Sequence, residues 1–420
     1  MTGPARQTDV LVVGGGPAGL ATAVELRRLG VAAVTVLERE AALGGVPRHT
    51  HHTGYGWRDL RRVLTGPAYA RAYLELAERA GVDLRPGTTA TGWAGPTSLV
   101  TAGRDGVVRW DARAVVLATG CRERPRSARL VPGTRPAGVL TTGALQLAAD
   151  VHALPIGRRA VVVGAEHVSF SAVHTLRRHG VTVVAVVTGL ERPQAFPGLR
   201  WATVGLGAVP VLTRTEVTGI EGRDRVTGVR LTRADGRTTT VPCDTVVFTG
   251  DWIAEHELAR RGGVPLDPGT RGPATDQESR TALPSIFAVG NLVHAAEAAD
   301  VAALGGRHAA RAVAALLDGL TDGTAALPDR PGLAVRVEGP LTWAFPAILR
   351  PGGGLPPRGR LLLRTAAFRD GGRLEVTQGD RLLVSRPVRR LGPHRSIGLP
   401  AAWVDRLDAG GGPVRVRWIP

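Results

Sequence analysis

The most constraining feature is the first forty residues. Val10–Val13 is an apolar run, Gly14-Gly-Gly16-Pro17-Ala18-Gly19 follows, then a helix-like stretch, then Val34-Thr-Val-Leu, then Glu38-Arg39. The order is strand, G-x-G-x-x-G turn, helix, strand, acid. Gly14 permits the tight turn, Gly16 lets the backbone approach a pyrophosphate, and Gly19 lets helix and strand pack closely. The N–H groups at the start of the helix carry partial positive charge toward phosphate. Glu38, 24 residues after Gly14, is placed to accept from a ribose diol. The pattern predicts a dinucleotide site.

Three later segments specify the dinucleotide. Gly44-Gly45-Val46 follows Glu38 closely. Ala114–Leu117 is a buried strand running into Ala118-Thr119-Gly120. Thr281–Gly290 reads as another strand ending at Gly290-Asn291. At these residues the chain resembles the pyridine nucleotide-disulfide oxidoreductase superfamily, flavoproteins with two dinucleotide domains. The resemblance implies an α/β fold: two nested Rossmann-like dinucleotide-binding domains, three-layer β/β/α, plus a small C-terminal all-β domain. It also implies FAD as cofactor. Gly14, Gly16, Pro17, Ala18 and Gly19 would then meet it, with Glu38, Arg39, Gly45 and Val46 beside them. Ala118, Thr119, Gly120, Gly290 and Asn291 complete its cradle. In the superfamily the last motif usually ends Gly-Asp, and the acid holds the ribityl chain; Asn291 keeps one acceptor and adds a donor.

Composition bears on partners. The chain has 53 basic against 36 acidic side chains, a formal +17, which raises nucleic acid or an anionic membrane as a partner. No lysine occurs, so every Lys+Arg position is arginine, and Asn291 is the one asparagine. That bias is what a GC-rich genome produces. The arginines are scattered and aromatics are 4%, so no nucleic-acid partner is expected. Against the same bias the single asparagine stands out, and we read it as removing a negative charge near the flavin. Cys121 and Cys243 are far apart, so the redox dithiol of disulfide reductases is missing and no cysteine cluster holds zinc or iron–sulfur. No metal site is expected. No signal peptide or integral membrane segment is read from the sequence, and the expected location is cytoplasmic.

The domain reading has four parts: 1–122, the first FAD segment; 123–250, a second nucleotide-binding-like domain; 251–327, the return to the FAD domain; and 333–420, a β-sandwich-like domain. The first part includes a helix at Pro67–Ala80 and a meander of Val82–Trp93, Leu99–Thr101 and Val107–Trp110. Pro328–Pro331 reads as the linker to the last part. There, Leu333–Glu338, Arg360–Arg364, Arg373–Thr377, Arg381–Ser385 and Val414–Trp418 read as strands.

The second repeat departs from the fingerprint. Its turn is Gly164-Ala-Glu166-His-Val-Ser169, with Glu166 and Ser169 where glycines belong. A side chain there blocks the backbone's approach, and a carboxylate repels phosphate: two unit charges about 5 Å apart cost roughly 1 kcal/mol in water and roughly 3 at an effective dielectric of 20. The position 24 residues after Gly164 is Thr188, neither the acid of an NAD site nor the arginine of an NADP site, though Arg192 is close. The second site reads as degraded for NAD(P)H. The alternative is an unusual binding mode in which Glu166 points away.

Leu43–His52 and Val63–Ala70 narrow the resemblance to the FAD-binding α-type subunits of opine oxidase, hydrogen cyanide synthase and dye-linked amino-acid dehydrogenases. Those relatives oxidise carbon–nitrogen bonds together with a second flavoprotein subunit, often with a small iron–sulfur protein as well. The resemblance therefore implies one subunit of a dehydrogenase whose substrate is an amine, amino acid or similar small molecule, with hydride passing to flavin N5. His49 and His52, with His51 between, are the catalytic candidates, because a histidine there would move a proton as hydride is transferred. Metal binding and a plain phosphate-contacting loop are the rival readings of this cluster. His294 and Glu297 lie between Gly290-Asn291 and the next helix. Asp300 is expected to cap that helix, leaving the N–H groups of Val301 and Ala302 for the flavin. Two other functions stay open: a stand-alone NAD(P)H-dependent flavin reductase, and a non-catalytic flavin-bound scaffold.

Overall fold

The computed structural model describes residues 5–195, 209–324, 332–393 and 396–420. The linker expected at Pro328–Pro331 lies outside the described residues. The chain divides into two compact units. One takes in the described residues up to Arg48, then Thr53–Cys121 and Ala254–Pro420; the other holds His49–His52 and Arg122–Ile253.

The first segment builds β1 (Ala5–Val13), α1 (Pro17–Arg28), β2 (Val34–Leu37), α2 (Gly66–Arg79), β3 (Asp83–Arg85), β4 (Thr89–Trp93), β5 (Ser98–Gly103) and β6 (Gly106–Leu117). The residues of β2 are all buried, as a parallel strand covered on both faces requires. Val82–Trp93, expected as a single meander strand, is two elements. Asp83–Arg85 pairs parallel with β2 and extends the Rossmann sheet; only Thr89–Trp93 joins the meander. Pro86-Gly87 breaks the run between them, with Gly87 at φ +64. The last meander strand differs as well: Val107–Trp110 and the separately read Ala114–Leu117 are one continuous strand, β6. Its first half pairs with β5 and its second half with the returning strand at Ile286–Ala288.

The second unit repeats the plan. It has β7 (Val139–Thr141), α3 (Thr142–Gln146), β8 (Arg159–Val163), α4 (His167–Arg178), β9 (Thr182–Val187), β10 (Val211–Leu212), β11 (Thr215–Gly222), β12 (Val226–Arg233), β13 (Thr238–Pro242) and β14 (Thr245–Phe248). The parallel sheet runs β7-β14-β8-β9-β10, and β11-β12-β13 form an antiparallel sheet. The Asp235-Gly236 hairpin expected between β12 and β13 is present; β11, broken by Thr and Gly, is a strand that the sequence pattern does not announce.

Back in the first unit come α5 (Glu257–Arg261), β15 (Ile286–Ala288) and α6 (Ala299–Thr321). The parallel order is β3-β2-β1-β6-β15, so the strand order reverses beside β1 and β6, where ligands of such sheets bind. Alternation along β1 divides its side chains between two cores. Val10 and Val12 pack with α1, α2 and α6; Leu11 and Val13 pack with the meander residues Leu99 and Trp110. That is the β/β/α layering.

The main C-terminal strands are β16 (Leu333–Val337), β17 (Leu341–Phe345), β18 (Ile348–Leu349), β19 (Arg360–Thr365), β20 (Arg373–Gln378), β21 (Arg381–Pro387), β22 (Ile397–Pro400) and β23 (Val414–Ile419). They form two sheets, β18-β16-β23-β20-β21 and β17-β19-β22, closed on Leu349, Leu361, Leu363, Leu374, Val376 and Val416. This layer belongs to the first unit, because Trp343 and Phe345 on β17 enter the same core as Leu11, Val115 and Leu117. Among the described residues, no helix is long and apolar enough to cross a membrane.

Candidate functional site

The first glycine turn sits at the carboxyl end of β1. Gly14 has φ +114 and its N–H donates to Leu37 O at 2.8 Å. A Cβ on Gly19 would lie 1.9 Å from Gly14 O, so only glycine fits where the helix packs on the turn. Pro17 fills the first position of α1, where no N–H is needed. Above the helix start, the second Gly-Gly turn closes in: Gly44 N donates to Gly15 O at 2.8 Å, and a Cβ on Gly45 would lie 2.9 Å from Gly16 Cα. Two bare backbones therefore face each other at the start of a helix, a cradle that any side chain would fill. It fits a pyrophosphate.

Glu38 is buried at 9% exposure. Its Oε2 accepts from Gly15 N and its Oε1 from Glu40 N, each at 2.9 Å. The carboxylate thus braces the glycine turn, and each oxygen keeps a further lone pair. Arg39 points outward, at 63% exposure, with Glu40 as a loose partner. Val46 is also exposed. Ala118 N donates to Val13 O at 2.8 Å, and Thr119 Oγ1 donates to Glu255 O at 2.7 Å. The Thr119 partner is far along the chain and has no sequence signal.

Gly290 lies against Ala18 and Ala302: an added Cβ would be 2.6 Å and 3.8 Å from their Cβ atoms. The structure thus joins Ala18, Gly290 and Ala302 in one place. The expected cap of α6 is different. Ala298 holds the N-cap position, and Asp300 lies in the first turn. Its carboxylate receives Arg58 instead, from the backbone N at 3.2 Å and from Nη1 at 3.0 Å. An acid in the first turn suits the helix dipole. The N–H groups of Val301 and Ala302 both point back to Ala298 O at 3.0 Å, so the expectation that they stay open is corrected; a tight first turn has claimed them.

In the second unit the equivalent turn survives around a different filling. Gly164 has φ +129, its N–H donates to Val187 O at 2.7 Å, and Thr249 N donates to Val163 O at 2.9 Å. Glu166 starts α4 with its side chain turned inward, at 6% exposure. Its Oε1 accepts from Thr249 Oγ1 at 2.6 Å, and Thr249 also bonds Ser169 Oγ at 2.6 Å. A Cβ on Gly250 would be 2.4 Å from Glu166 Oε1. The carboxylate fills the space beside Gly164 and Gly250, where the first repeat has bare backbone. A second acid, Glu123, is buried nearby. Its Oε2 accepts from Gly143 N at 2.9 Å. Burial pushes its carboxyl up to about 7, and the Glu166 charge adds to the rise.

His49 is buried in the second unit. Its Nδ1 lies 3.3 Å from Gln146 Oε1, which Thr50 Oγ1 also reaches at 3.3 Å; Gln146 Nε2 donates to Ser171 Oγ at 3.0 Å. An amide oxygen only accepts, so His49 Nδ1 carries a proton. His52 is half-buried and electrostatically coupled to His174, whose pKa is lowered by burial first and by His52 second. Among the described residues, no group of three or more His, Cys, Asp or Glu side chains is placed to hold a metal. Neither cysteine is in a disulfide, and burial pushes the Cys243 thiol up to about 11.

Residues 8–309 match the pyridine nucleotide-disulphide oxidoreductase family. The chain belongs to that family. Its members typically bind FAD. One of the opine oxidase subunits of Rhizobium meliloti is 29% identical over 351 residues, covering 76% of this chain and 64% of that protein. A probable ferredoxin reductase, CtmF of Castellaniella defragrans, is 29% identical over 293 residues, 67% of each chain. The chain therefore spans about two thirds of the length of these relatives. Among solved structures, thioredoxin reductase of T. acidophilum superposes with a TM-score of 0.61 at 21% identity, covering 75% of this chain and 99% of that one, which establishes the shared fold.

Proposed function

We propose that this chain is an FAD-dependent dehydrogenase subunit that oxidises a small amine, amino acid or similar metabolite. One contrast carries the reading: the first cradle is bare backbone at Gly16 and Gly45, whereas the second crevice is filled by Glu166. The chain is equipped to hold one dinucleotide, not two.

Gly14, Gly16, Pro17, Ala18 and Gly19 would hold the pyrophosphate, with Glu38 on the ribose. Gly45, Thr119, Gly290 and Asn291 would flank the rest. When bound, FAD supplies a two-electron acceptor at its ring. The substrate carbon bearing nitrogen gives up hydride and the nitrogen gives up a proton, leaving an imine. His49 is the proposed proton acceptor, through Nε2, and Gln146 orients the ring by accepting from Nδ1. An external acceptor would have to take up the two electrons. A second flavoprotein subunit or a small iron–sulfur protein fits that role: relatives of this chain are named as enzyme subunits and as a ferredoxin reductase.

The test is an anaerobic titration of the flavin-loaded chain with NADH, then NADPH, watching the visible flavin band. We expect no bleaching by either, while dithionite still reduces the flavin. Fast bleaching by NADPH would make the chain a reductase and sink the proposal.

A further inference from the structure

The C-terminal β layer does more than cover a sheet. Between Asn291 and α6 the chain makes a short loop, and that layer grips it at several points. Arg364 on β19 donates from Nη2 to Ala295 O at 3.2 Å and to Ser396 Oγ at 3.1 Å. The same nitrogen is 3.7 Å from Glu297 Oε1. Ser396 Oγ donates to that Glu297 oxygen as well. The Arg364 guanidinium lies over the Trp343 ring at 5.2 Å, and the His294 ring packs 4.2 Å from Phe345 and 5.9 Å from Trp343. At its other end Glu297 is bonded through its backbone to Asn291.

This grip is costly as a stability device. Arg364 is 8% exposed, and a buried ion pair is often no better than an apolar pair of the same volume. Ala296, inside the loop, sits at φ +65, a conformation that persists only where the surroundings impose it. A charged clamp on a strained loop specifies a position rather than adding stability.

We propose that Arg364 is a positioning residue of the flavin site: through Glu297 and Ala295 it fixes the loop that carries Asn291 at one end and the start of α6 at the other. The inference rests on the FAD reading above. It makes the β layer from Leu333 onward a working part of the cofactor site. Ser396 bridges the pair, and Trp343 and Phe345 supply the wall behind His294.

The test compares the full chain with Arg364→Lys and with the double variant Glu297→Gln/Arg364→Met, which removes both charges and leaves neither orphaned. Three quantities are read: flavin bound per chain, FAD affinity of the apoprotein by flavin fluorescence, and the fine structure of the bound flavin's visible band. Thermal melting is the control for folding. We expect the double variant to melt cooperatively yet bind FAD about tenfold or more weakly with an altered band, and Arg364→Lys to fall between. Wild-type affinity and spectrum in a folded double variant overturn the positioning role. If the double variant does not fold, Arg364→Lys decides by the same readings. If the unaltered chain takes up no flavin, the FAD reading fails first and this inference falls with it.

Discussion

Asn291 and Glu297 are joined twice: the Asn291 amide nitrogen donates to Glu297 O at 3.2 Å, and its amide oxygen accepts from Glu297 N at 3.0 Å. Only a side chain with both a donor and an acceptor makes this pair. The lone asparagine of the chain therefore has a structural reason as well as the electrostatic one read from the sequence. Asn291→Asp keeps the acceptor, loses the donor, and sets a carboxylate against the Glu297 carbonyl. A cost of about 1–3 kcal/mol in unfolding free energy is expected, measured by denaturant titration. The added negative charge also lowers the flavin's potential in the loaded protein, read by equilibration with a reference dye. An unchanged melting curve and potential would count against both reasons.

The His49 and Gln146 pair sets a second expectation. His49→Gln removes the proposed proton acceptor, which is worth roughly 10²- to 10⁴-fold in rate, while leaving the Gly16–Gly45 cradle intact. If the proposed amine-oxidising reading holds, turnover with an amine substrate should fall by that range at constant FAD content. Gln146→Leu releases the ring from its fixed orientation and should lower turnover less, with a displaced acidic limb in the rate profile. Equal turnover in wild type and His49→Gln would remove His49 from the mechanism.

The features legible in the sequence share a cause: they are local. Gly14, Gly16 and Gly19 answer to sterics within one turn, so spacing alone places β1, α1 and Glu38. The same logic places Gly164 and marks Glu166 as a departure. The C-terminal strands at Arg373–Gln378 and Arg381–Pro387 alternate visibly around a turn. What the sequence hides is non-local. Gln146 meets His49 and Arg364 meets Glu297 only through tertiary packing. Asp300 has the local pattern of a helix cap, but Arg58 claims it from far along the chain. Asp83–Arg85 merges with its neighbour in the pattern because a three-residue strand carries too little periodicity to stand out.

Glu123 predicts a pH dependence of stability. Its folded pKa, about 7, lies above the ordinary 4.5. The folded state therefore holds the proton more tightly than the unfolded chain. The contribution is fully present below pH 4.5 and is lost as pH rises through 7. Across that window the loss approaches about 3 kcal/mol. Glu123→Gln keeps the Gly143 N–H partner and cannot ionise. It should flatten the fall in melting temperature between about pH 5 and about pH 8 and be the more stable form at the upper end. Parallel curves for the two proteins would show that Glu123 does not titrate in this range.

Glu166 allows a gain-of-function test of the second repeat. Its carboxylate is held by Thr249 in the crevice at Gly164 and Gly250. Glu166→Gly with Ser169→Gly restores the spacing that the first repeat has at Gly16 and Gly19. The turn itself needs no repair, because Gly164 already adopts the required φ. Removing the carboxylate also removes its repulsion of phosphate, which is worth roughly 3 kcal/mol at about 5 Å and an effective dielectric of 20. That corresponds to a gain in affinity on the order of a hundredfold. The expected result is NADH or NADPH binding by the double variant where the parent shows none, read by quenching of tryptophan fluorescence. Thr188 offers no acid for a ribose diol, so the two coenzymes should bind with similar affinity. Tight coenzyme binding by the unaltered chain would mean that Glu166 moves aside, and the single-dinucleotide reading would give way to the reductase one.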